Sequence, residues 1–255
     1  MEDVAVTGSE NGGDFMCDII GELVFSMLKK CGGTKEEAYV GVGCPGVIDS
    51  EHGVLVFSGN LNLRDYPLAK KIEDRIGIPV KVTNDANAAA LGEAKFGAGK
   101  NYKSSILVTL GTGVGGGIII DGKLFEGYKS AGAEIGHMVI ERHGDVCTCG
   151  RRGCFEAYCS ATALVRRTRR QMEDNPRSAM WTKYTSDTAN GKTAFDFYHT
   201  DIDAKEVVDW YTKYLACGLA NLANIFRPEV IMLGGGVSEQ GDNLIVPVQT
   251  YVDKE

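Results

Sequence analysis

Apolar residues recur along the chain with two different periods. Between residues 14 and 33 they return every three or four positions, which predicts an amphipathic helix, and between 39 and 43 they form a short run typical of a buried strand. The same succession continues further along. The predicted elements are helices over 15–28, 68–76, 86–96, 161–172 and 203–226, and strands over 39–43, 54–57, 78–83, 105–110, 118–120 and 230–233. Strands that alternate with helices predict an α/β fold.

Polar residues and glycine mark the predicted ends of several elements. Asp14 precedes the first helical pattern and is interpreted as its N-cap, and Asp203 with Glu206 three positions later forms a capping-box pattern. The dipeptide Asp121-Gly122 predicts a tight hairpin turn. Residues 173–200 are polar and show no clear period, so we expect them to form an irregular excursion at the surface.

The composition limits the classes of partner. With 27 Lys and Arg residues against 34 Asp and Glu residues, the 255-residue chain has a net charge of −7, which disfavours nucleic acid as a partner. The arginine-rich run over 166–170 is therefore interpreted as a solvated helix face. The apolar runs are too short to span a membrane, and the first residues show no leader pattern. We expect a soluble, cytoplasmic protein.

The spacing of the eight cysteines separates them into two groups. Five are isolated along the chain, whereas Cys147, Cys149 and Cys154 lie within eight positions. Together with His137, ten residues before the first of them, they supply three thiolates and one imidazole, which is a complete ligand set for tetrahedral zinc. Four protein ligands leave no open position, so we expect the zinc to be structural. The alternative is a surface loop with free cysteines.

Two glycine-rich turns follow predicted strands. Residues 111–117, Gly-Thr-Gly-Val-Gly-Gly-Gly, lie between two strands, and Gly234-Gly235-Gly236 follows the strand over 230–233. Glycine lets backbone amides approach a phosphate closely. The first run lacks the Lys-Ser/Thr ending of a P-loop and opens no helix, so a simple glycine-rich hairpin is the alternative. The second turn favours the phosphate-binding interpretation.

Asp85 stands where a predicted strand ends and a predicted helix begins. The amide dipoles of a helix N-terminus stabilise a carboxylate, so this position suits a general base. An aspartate at a helix start is more often an N-cap than a catalyst. Both interpretations of Asp85 stay open on position alone.

Three segments resemble signature motifs of the ROK family, named for repressors, open reading frames and kinases, and most closely those of its bacterial ATP-dependent glucokinases. Residues 83–89, Thr-Asn-Asp-Ala-Asn-Ala-Ala, are similar to the family's sugar-binding and catalytic motif, and residues 110–117 to its phosphate-binding hairpin. Residues 134–156, which include the clustered cysteines, are similar to its zinc and sugar signature. The resemblance extends from about Asp14 to Ser238.

The resemblance implies an α/β fold of the actin-like ATPase (ribonuclease-H-like) type with two domains, which we place at residues 1–84 and 85–255. It implies ATP-dependent phosphorylation of a hexose, above all glucose to glucose 6-phosphate in glycolysis, with Mg²⁺ accompanying ATP. A homodimer is the family expectation. The alternatives are a sugar-sensing transcriptional regulator of the same family and an inactive kinase fragment.

Roles for individual residues follow from the same resemblance. Asp85 is implied to accept the proton of the sugar 6-hydroxyl as that hydroxyl attacks the γ-phosphate. The residues implied to bind the sugar are Asn60, Asn84, Glu134, His137 and Glu156. Those implied to face the nucleotide are Gly111, Thr112, Gly113, Gly115, Gly235 and Gly236. The implied zinc ligands are His137, Cys147, Cys149 and Cys154, and His137 can serve both groups through its two ring nitrogens.

Two departures from the family pattern bear on activity. Family members normally begin with a strand and an Asp-x-Gly-Gly-Thr-Lys turn, whereas residues 32–35, Gly-Gly-Thr-Lys, follow a helix and are interpreted as its C-terminal stop. The chain also ends at Glu255, where relatives continue. We therefore expect an incomplete version of the family fold. The sequence leaves open whether this chain is active, which hexose it prefers and whether polyphosphate replaces ATP.

Overall fold

The computed structural model describes residues 2–254, which divide into two units according to their internal contacts. The first unit comprises residues 2–92 and 124–133, and the second comprises residues 93–123 and 134–254. The domain boundary expected between residues 84 and 85 coincides with the end of a strand and the start of a helix. It stays a prediction.

The first unit contains a parallel pair of strands and a small antiparallel sheet. Its elements are α1 (Gly13–Cys31), β1 (Val40–Cys44), β2 (Val47–Asp49), β3 (Val54–Ser58), β4 (Leu63–Tyr66), α2 (Leu68–Ile76), β5 (Val80–Asn84) and α3 (Asp85–Phe96), the last of which continues into the second unit. β1 and β5 pair in parallel, with Cys44 beside Asn84 at their carboxyl ends. β2, β3 and β4 form the antiparallel sheet. Leu55, Leu68 and Ile72 are fully buried in the core between these elements.

The second unit is a sheet with helices packed around it. Its elements are β6 (Ser105–Leu110), β7 (Val114–Ile120), the first residue of β8 (Lys123–Phe125), α4 (Glu156–Cys159), α5 (Ala161–Asp174), α6 (Thr193–Asp196), α7 (Ile202–Phe226), β9 (Val230–Gly234) and α8 (Asp242–Val252). β6 lies between antiparallel β7 and parallel β9. The carboxyl ends of β6 and β9 therefore lie at the same edge of the sheet.

The long helix α7 fills the centre of the second unit's core. Tyr211 and Leu215 are fully buried, and burying an apolar side chain of this size stabilises the fold by about 1.5–3 kcal/mol. The Tyr211 hydroxyl donates a hydrogen bond to the carbonyl of Cys159 at 2.7 Å. Gly218 packs directly on the ring of Phe155, where a Cβ would collide. These contacts fix α4 and the start of α5 against α7.

Several predicted elements are confirmed. The helix over 68–76 and the strand over 105–110 have the predicted bounds. α1 ends at Cys31, and Gly32 adopts a left-handed conformation with φ 69°, so this glycine stops the helix as expected. Asp121 and Gly122 join β7 to β8 with φ values of 50° and 76°, as in the hairpin turn that this dipeptide favours.

The predicted N-cap of α1 is wrong. α1 begins at Gly13, which places Asp14 inside the first turn rather than before it. The Asp14 carboxylate instead accepts hydrogen bonds at 3.0 Å from the Tyr66 hydroxyl and from the Lys71 ammonium. Hydrogen bonds from Lys71, Tyr66 and Arg75 lower the pKa of Asp14, with Lys71 as the largest cause. Asp14 thus ties α1 to α2 through side chains that are distant in sequence.

The capping box predicted at Asp203 is also wrong. α7 begins at Ile202, and the carboxylate of Asp201 accepts the backbone N–H of Asp203 at 2.7 Å and that of Ala204 at 3.4 Å. Asp201 is therefore the N-cap. The other oxygen of Asp201 accepts the hydroxyl of Ser178 at 2.7 Å, so the cap also anchors the preceding segment.

Residues 173–200 are not an irregular surface excursion. Met180, Thr193 and Phe195 are buried, and α6 packs against α7. The helical pieces in this segment are only four residues long. Pieces of this length are too short to produce a readable hydrophobic period.

The predicted glycine loop over 111–117 is shorter than expected. Only residues 111–113 form the turn, since β7 begins at Val114 and Gly116 pairs with Val108 in the ladder. The C-terminal helix α8 was not predicted from the sequence. Among residues 2–254, the structure contains no helix whose length and apolar character would let it cross a membrane.

Candidate functional site

The junction of β5 and α3 is held by the side chain of Asn84. Its Oδ1 accepts the backbone N–H of Ala86 at 2.9 Å and that of Asn87 at 3.2 Å, which is the pattern of an N-cap. Its Nδ2 donates to the carbonyl of Gly46 at 3.1 Å. Asp85 is the first residue of α3, and its carboxylate is exposed and accepts the N–H of its neighbour Ala86 at 2.9 Å. The capping role that was one interpretation of Asp85 therefore belongs to Asn84.

A glycine on β1 lets α3 approach the parallel strand pair. A Cβ added to Gly43 would lie 3.3 Å from the Cα of Asp85 and 3.3 Å from the Cβ of Ala88, so a larger residue would press α3 away from the strand. Asp85 consequently sits at the carboxyl edge of β1 and β5. This edge is where ligands bind in open α/β sheets.

The turn that carries Asn60 lies at the same end of the first unit. Asn60 is exposed between β3 and β4, in a turn closed by the Asn62 N–H and the Gly59 carbonyl at 3.4 Å. Gly46, which accepts from Asn84, also packs on β3, because a Cβ added to it would lie 2.9 Å from that of Ser58. These contacts bring the Asn60 turn close to Asn84.

The first glycine turn of the second unit is clamped by the start of α5. Gly111 donates its N–H to the carbonyl of Gly113 at 3.0 Å, which closes the turn between β6 and β7. The N–H of Ala161 donates to the Gly111 carbonyl at 2.7 Å, and the Thr162 hydroxyl donates to the Thr112 carbonyl at 2.8 Å. Hydrogen bonds from the start of α5 therefore hold the turn whose residues are expected to face a nucleotide.

The second glycine turn meets the first at the edge of the sheet. β9 runs parallel to β6, with Gly234 beside Thr109. Gly235 has φ 82°, and a Cβ on it would lie 2.6 Å from the carbonyl oxygen of Leu110. Both the backbone conformation and the lack of space for a side chain therefore require glycine here. Gly236 faces open space. Gly115 lies within β7, opposite Thr109, rather than in a turn.

The four predicted metal ligands are brought together. The ring nitrogen of His137 and the sulfurs of Cys147, Cys149 and Cys154 all lie within 4.8 Å of one another. The Cys149 and Cys154 sulfurs are 3.6 Å apart, and the Cys147 sulfur is 3.6 Å from His137 Nδ1. A tetrahedron with zinc-to-sulfur arms of 2.3 Å has edges of about 3.8 Å. The donor set and its spacing therefore fit zinc.

Backbone hydrogen bonds shape the metal loop. The Cys147 N–H donates to the Arg151 carbonyl at 2.8 Å, and the Gly150 N–H donates to the Cys147 carbonyl at 2.9 Å. A hydrogen bond from the backbone of Arg151 lowers the pKa of Cys149 to about 6, whereas burial raises the pKa of Cys154. The exposed Cys149 sulfur therefore favours the thiolate, the form in which cysteine binds metals, more than the buried Cys154 sulfur does.

Glu134 precedes a short helical turn, Ile135–His137, which packs on β7. Gly136 lies against the carbonyl of Val114, where a Cβ would collide. The His137 N–H donates to the Glu134 carbonyl at 3.0 Å. Because Nδ1 of His137 faces Cys147, its Nε2 remains for another partner. Glu134 is exposed and His137 is half-buried.

Glu156 connects the metal loop to the glycine turn. Its Oε2 accepts the backbone N–H of Val114, the first residue of β7, at 3.1 Å. Its Oε1 accepts the hydroxyl of Thr148 at 2.8 Å and is 3.6 Å from the Cys147 sulfur. A Cβ on Gly113 would collide with the carboxylate. Each oxygen of Glu156 is therefore fixed by a different element.

These features belong to a known family. The sequence matches the ROK family over residues 2–254. The chain belongs to the ROK family. This confirms the membership that the motifs around Asp85, the glycine turn and the clustered cysteines predicted.

Individual ROK proteins show how far the similarity extends. A glucokinase of Halalkalibacterium halodurans is 38% identical over 253 residues, which cover 97% of this chain and 76% of that protein. A xylose repressor of Bacillus spizizenii is 33% identical over 214 residues, which cover 84% of this chain and 52% of that protein. Both enzymes and regulators are therefore among the relatives.

A solved ROK structure confirms the fold class. The crystal structure of a ROK family glucokinase from Streptomyces griseus, in complex with glucose and AMPPNP, matches with a TM-score of 0.79 and 35% identity, and the match covers 93% of this chain and 78% of that one. The fold is thus the α/β actin-like ATPase fold that the ROK resemblance predicted.

The predicted site residues of this ROK protein fall into two groups. Asn60, Asn84 and Asp85 lie at one end of the first unit. The second unit holds the others, which are Gly111, Thr112, Gly113, Gly115, Glu134, His137, Glu156, Gly235, Gly236 and the clustered cysteines. The residues of each group lie near one another within their own unit. Their individual roles stay predictions.

Sequence reasoning missed the residues that support the site. Thr148 and Thr162 carry hydroxyls that hold Glu156 and the Thr112 carbonyl. Ser160 caps α5, and its hydroxyl accepts the Ala163 N–H at 3.1 Å. The serine directly before the helical pattern was a readable signal. The two threonines gave none, since their partners are distant or lie in a loop.

Proposed function

We propose that this ROK protein transfers the γ-phosphoryl group of ATP to the 6-hydroxyl of a hexose, with glucose as the preferred substrate. The sugar kinase class is supported by the similarity to glucokinases over nearly the whole chain. Glucose and ATP are supported by the ligands of the Streptomyces griseus glucokinase, which are glucose and AMPPNP.

One observation carries the assignment of Asp85 as general base. Asn84 supplies the cap of α3, and the Asp85 carboxylate is left exposed at the carboxyl edge of β1 and β5. In the proposed reaction Asp85 accepts the proton of the 6-hydroxyl. The hydroxyl oxygen forms a bond to the γ-phosphorus as the bond to the β-phosphate oxygen breaks, so ADP leaves and the proton stays on Asp85.

The residues that this proposal assigns to sugar binding are Asn60, Asn84, Glu134, His137 and Glu156. The Asn84 amide retains one N–H beyond the one it gives to Gly46, and His137 retains Nε2. The Glu156 carboxylate has lone pairs beyond those that accept from Thr148 and Val114. These three groups can therefore bind a hydroxyl without giving up their structural contacts.

ATP is assigned to the two glycine turns. Their glycines leave room for phosphate oxygens beside backbone amides, and Gly236 faces open space. Mg²⁺ reaches the site with ATP and neutralises phosphate charge there. No residue of this chain is assigned to it.

Zinc is assigned a structural role. His137, Cys147, Cys149 and Cys154 supply four ligands, which leaves no position for a substrate. The metal, when bound, holds the loop in its folded conformation. The residues of that loop then orient His137 and Glu156 toward the sugar.

The test is ADP release by the purified chain with Mg-ATP. Glucose, mannose, fructose and N-acetylglucosamine are compared, each against a blank without sugar. We expect sugar-dependent ADP release that is largest with glucose. An absence of sugar-dependent release with every hexose refutes kinase activity for this chain.

A regulator of sugar-responsive transcription is the second candidate, because a xylose repressor is 33% identical to the chain. A regulator of this kind binds sugar without consuming ATP. Calorimetric sugar binding without any ADP release would favour it over the kinase. ADP release that depends on sugar would exclude it as the main function.

We further infer that the protein works in the cytoplasm, in glycolysis, as a homodimer without a nucleic-acid partner. The assignment to glycolysis rests on the similarity to glucokinases. Light scattering coupled to size exclusion tests the dimer: a mass near twice 27.4 kDa supports it, and a monomer mass contradicts it.

A further inference from the structure

We propose that Thr148 is a positioning residue that couples the metal loop to the glycine turn through Glu156. Thr148 lies between two predicted zinc ligands, Cys147 and Cys149. Its hydroxyl donates to Glu156 Oε1 at 2.8 Å. The proposal rests on the proposed function only for the identity of the ligand at the glycine turn.

The first step of the coupling is the direction of the Thr148 hydroxyl. Cys147 and Cys149, the neighbours of Thr148, both belong to the ligand set. The conformation of the metal loop therefore fixes the position of the Thr148 backbone. The β-branched side chain of threonine has restricted rotation about χ1, so the position of the backbone sets the aim of the hydroxyl. The state of the metal loop therefore decides whether Glu156 Oε1 has its partner.

The second step is the fixation of the Glu156 carboxylate. Thr148 holds Oε1, and the remaining contact of this oxygen, with the Cys147 sulfur, is 3.6 Å long. The Cys147 sulfur is a weak donor as a thiol and has no proton to donate as a zinc-bound thiolate, so the Thr148 hydroxyl is the stronger of the two partners. Without the hydroxyl, Oε1 loses this partner, and the carboxylate rotates about its terminal bond more easily.

The third step reaches the glycine turn. Glu156 Oε2 accepts the N–H of Val114 at 3.1 Å, at the point where the turn enters β7. Gly113 leaves room for the carboxylate at this point, because a Cβ there would collide with it. A carboxylate that rotates gives up this hydrogen bond. We therefore expect the turn to open more often when Thr148 lacks its hydroxyl.

The test is amide hydrogen exchange at Val114 in the zinc-loaded protein without substrate, read by NMR. We compare the wild type with Thr148→Val, which removes the hydroxyl and keeps the shape, and with Thr148→Ser, which restores the hydroxyl. Thr250→Val is the matched control, since its hydroxyl donates to the carbonyl of Val246 in its own helix at 2.9 Å. We expect exchange at Val114 to be about fivefold faster in Thr148→Val, and near the wild-type rate in Thr148→Ser and the control.

Two results overturn the proposal. One is an unchanged exchange rate at Val114 in Thr148→Val. The other is a loss of bound zinc from Thr148→Val, measured by atomic absorption, because the residue would then act by holding the metal site.

Calorimetric binding of AMPPNP separates this proposal from the proposed function. If Thr148→Val accelerates exchange and also weakens AMPPNP binding severalfold, both the coupling through Thr148 and the assignment of ATP to this turn are supported. Faster exchange with unchanged AMPPNP affinity upholds the coupling and contradicts the assignment of ATP to this turn.

Discussion

The Oδ1 atom of Asn84 accepts the backbone N–H of Asn87 at 3.2 Å, so α3 is capped by the residue before the helix. The next residue, Asp85, therefore has a carboxylate that the helix does not need as a cap. This arrangement gives Asn84 a structural task and supports the proposal that Asp85 is the general base.

Removal of the cap tests this division of tasks. Asn84→Ala removes the acceptor for two N–H groups and the donor to Gly46, so the free energy of unfolding should fall by about 1–2 kcal/mol. Urea unfolding measures the change. Asn101→Ala, an exposed turn position, is the control and should stay within about 0.5 kcal/mol of the wild type. An Asn84→Ala protein as stable as the control contradicts the capping role.

Acid should weaken the contribution of Asp201 to stability. Burial raises the pKa of this carboxyl, but hydrogen bonds from Ser178 and from three backbone N–H groups outweigh burial and leave the pKa lowered. A carboxyl with a lowered folded pKa stabilises the fold above its unfolded pKa of about 3.9, and this stabilisation is lost as the pH falls through the folded value.

The matching experiment compares two variants at two pH values. At pH 7, Asp201→Ala should lower the free energy of unfolding by about 1–2 kcal/mol, and the difference from wild type should shrink near pH 3. Asp209→Ala, on the same helix and paired with Lys205, is the control and should have a small effect at pH 7. A pH-independent difference for Asp201→Ala speaks against the assignment.

The four-ligand cluster should bind one zinc ion per chain. Cys154→Ser replaces a buried ligand, so the bound zinc and the melting temperature should both fall. Cys31→Ser replaces an exposed cysteine outside the cluster and should change neither. Atomic absorption measures the zinc content of each variant, and thermal unfolding measures its melting temperature. Equal zinc content in the two variants contradicts the ligand assignment.

Local sequence signals predicted much of the fold. The helix over 68–76 and the strand over 105–110 have the observed bounds because each is one uninterrupted period. The cysteine cluster was predictable for a related reason, since three of its four ligands lie within eight residues. The predictions of helix caps were less accurate. Several polar residues near a helix start can act as the N-cap, and the tertiary contacts of Asp14 and Asp201 decide among them.

Contacts between distant residues could not be predicted from the sequence. The hydrogen bond from Val114 to Glu156 joins residues 42 positions apart, and neither residue shows in the sequence that the other is near. The burial of Phe195 depends on α7, which follows it in the chain. Such contacts arise from packing, which no local pattern records.

In the proposed reaction, Asp85 removes the proton of the sugar hydroxyl during phosphoryl transfer. The most direct measurement is the turnover of Asp85→Asn with Mg-ATP and glucose, beside Asp74→Asn, an exposed aspartate of α2 paired with Lys70. Glucose binding by calorimetry shows that the variant site is intact. We predict that Asp85→Asn loses about 10²–10⁴-fold in kcat and still binds glucose, while Asp74→Asn matches the wild type. Turnover of Asp85→Asn near the wild-type rate would contradict the account.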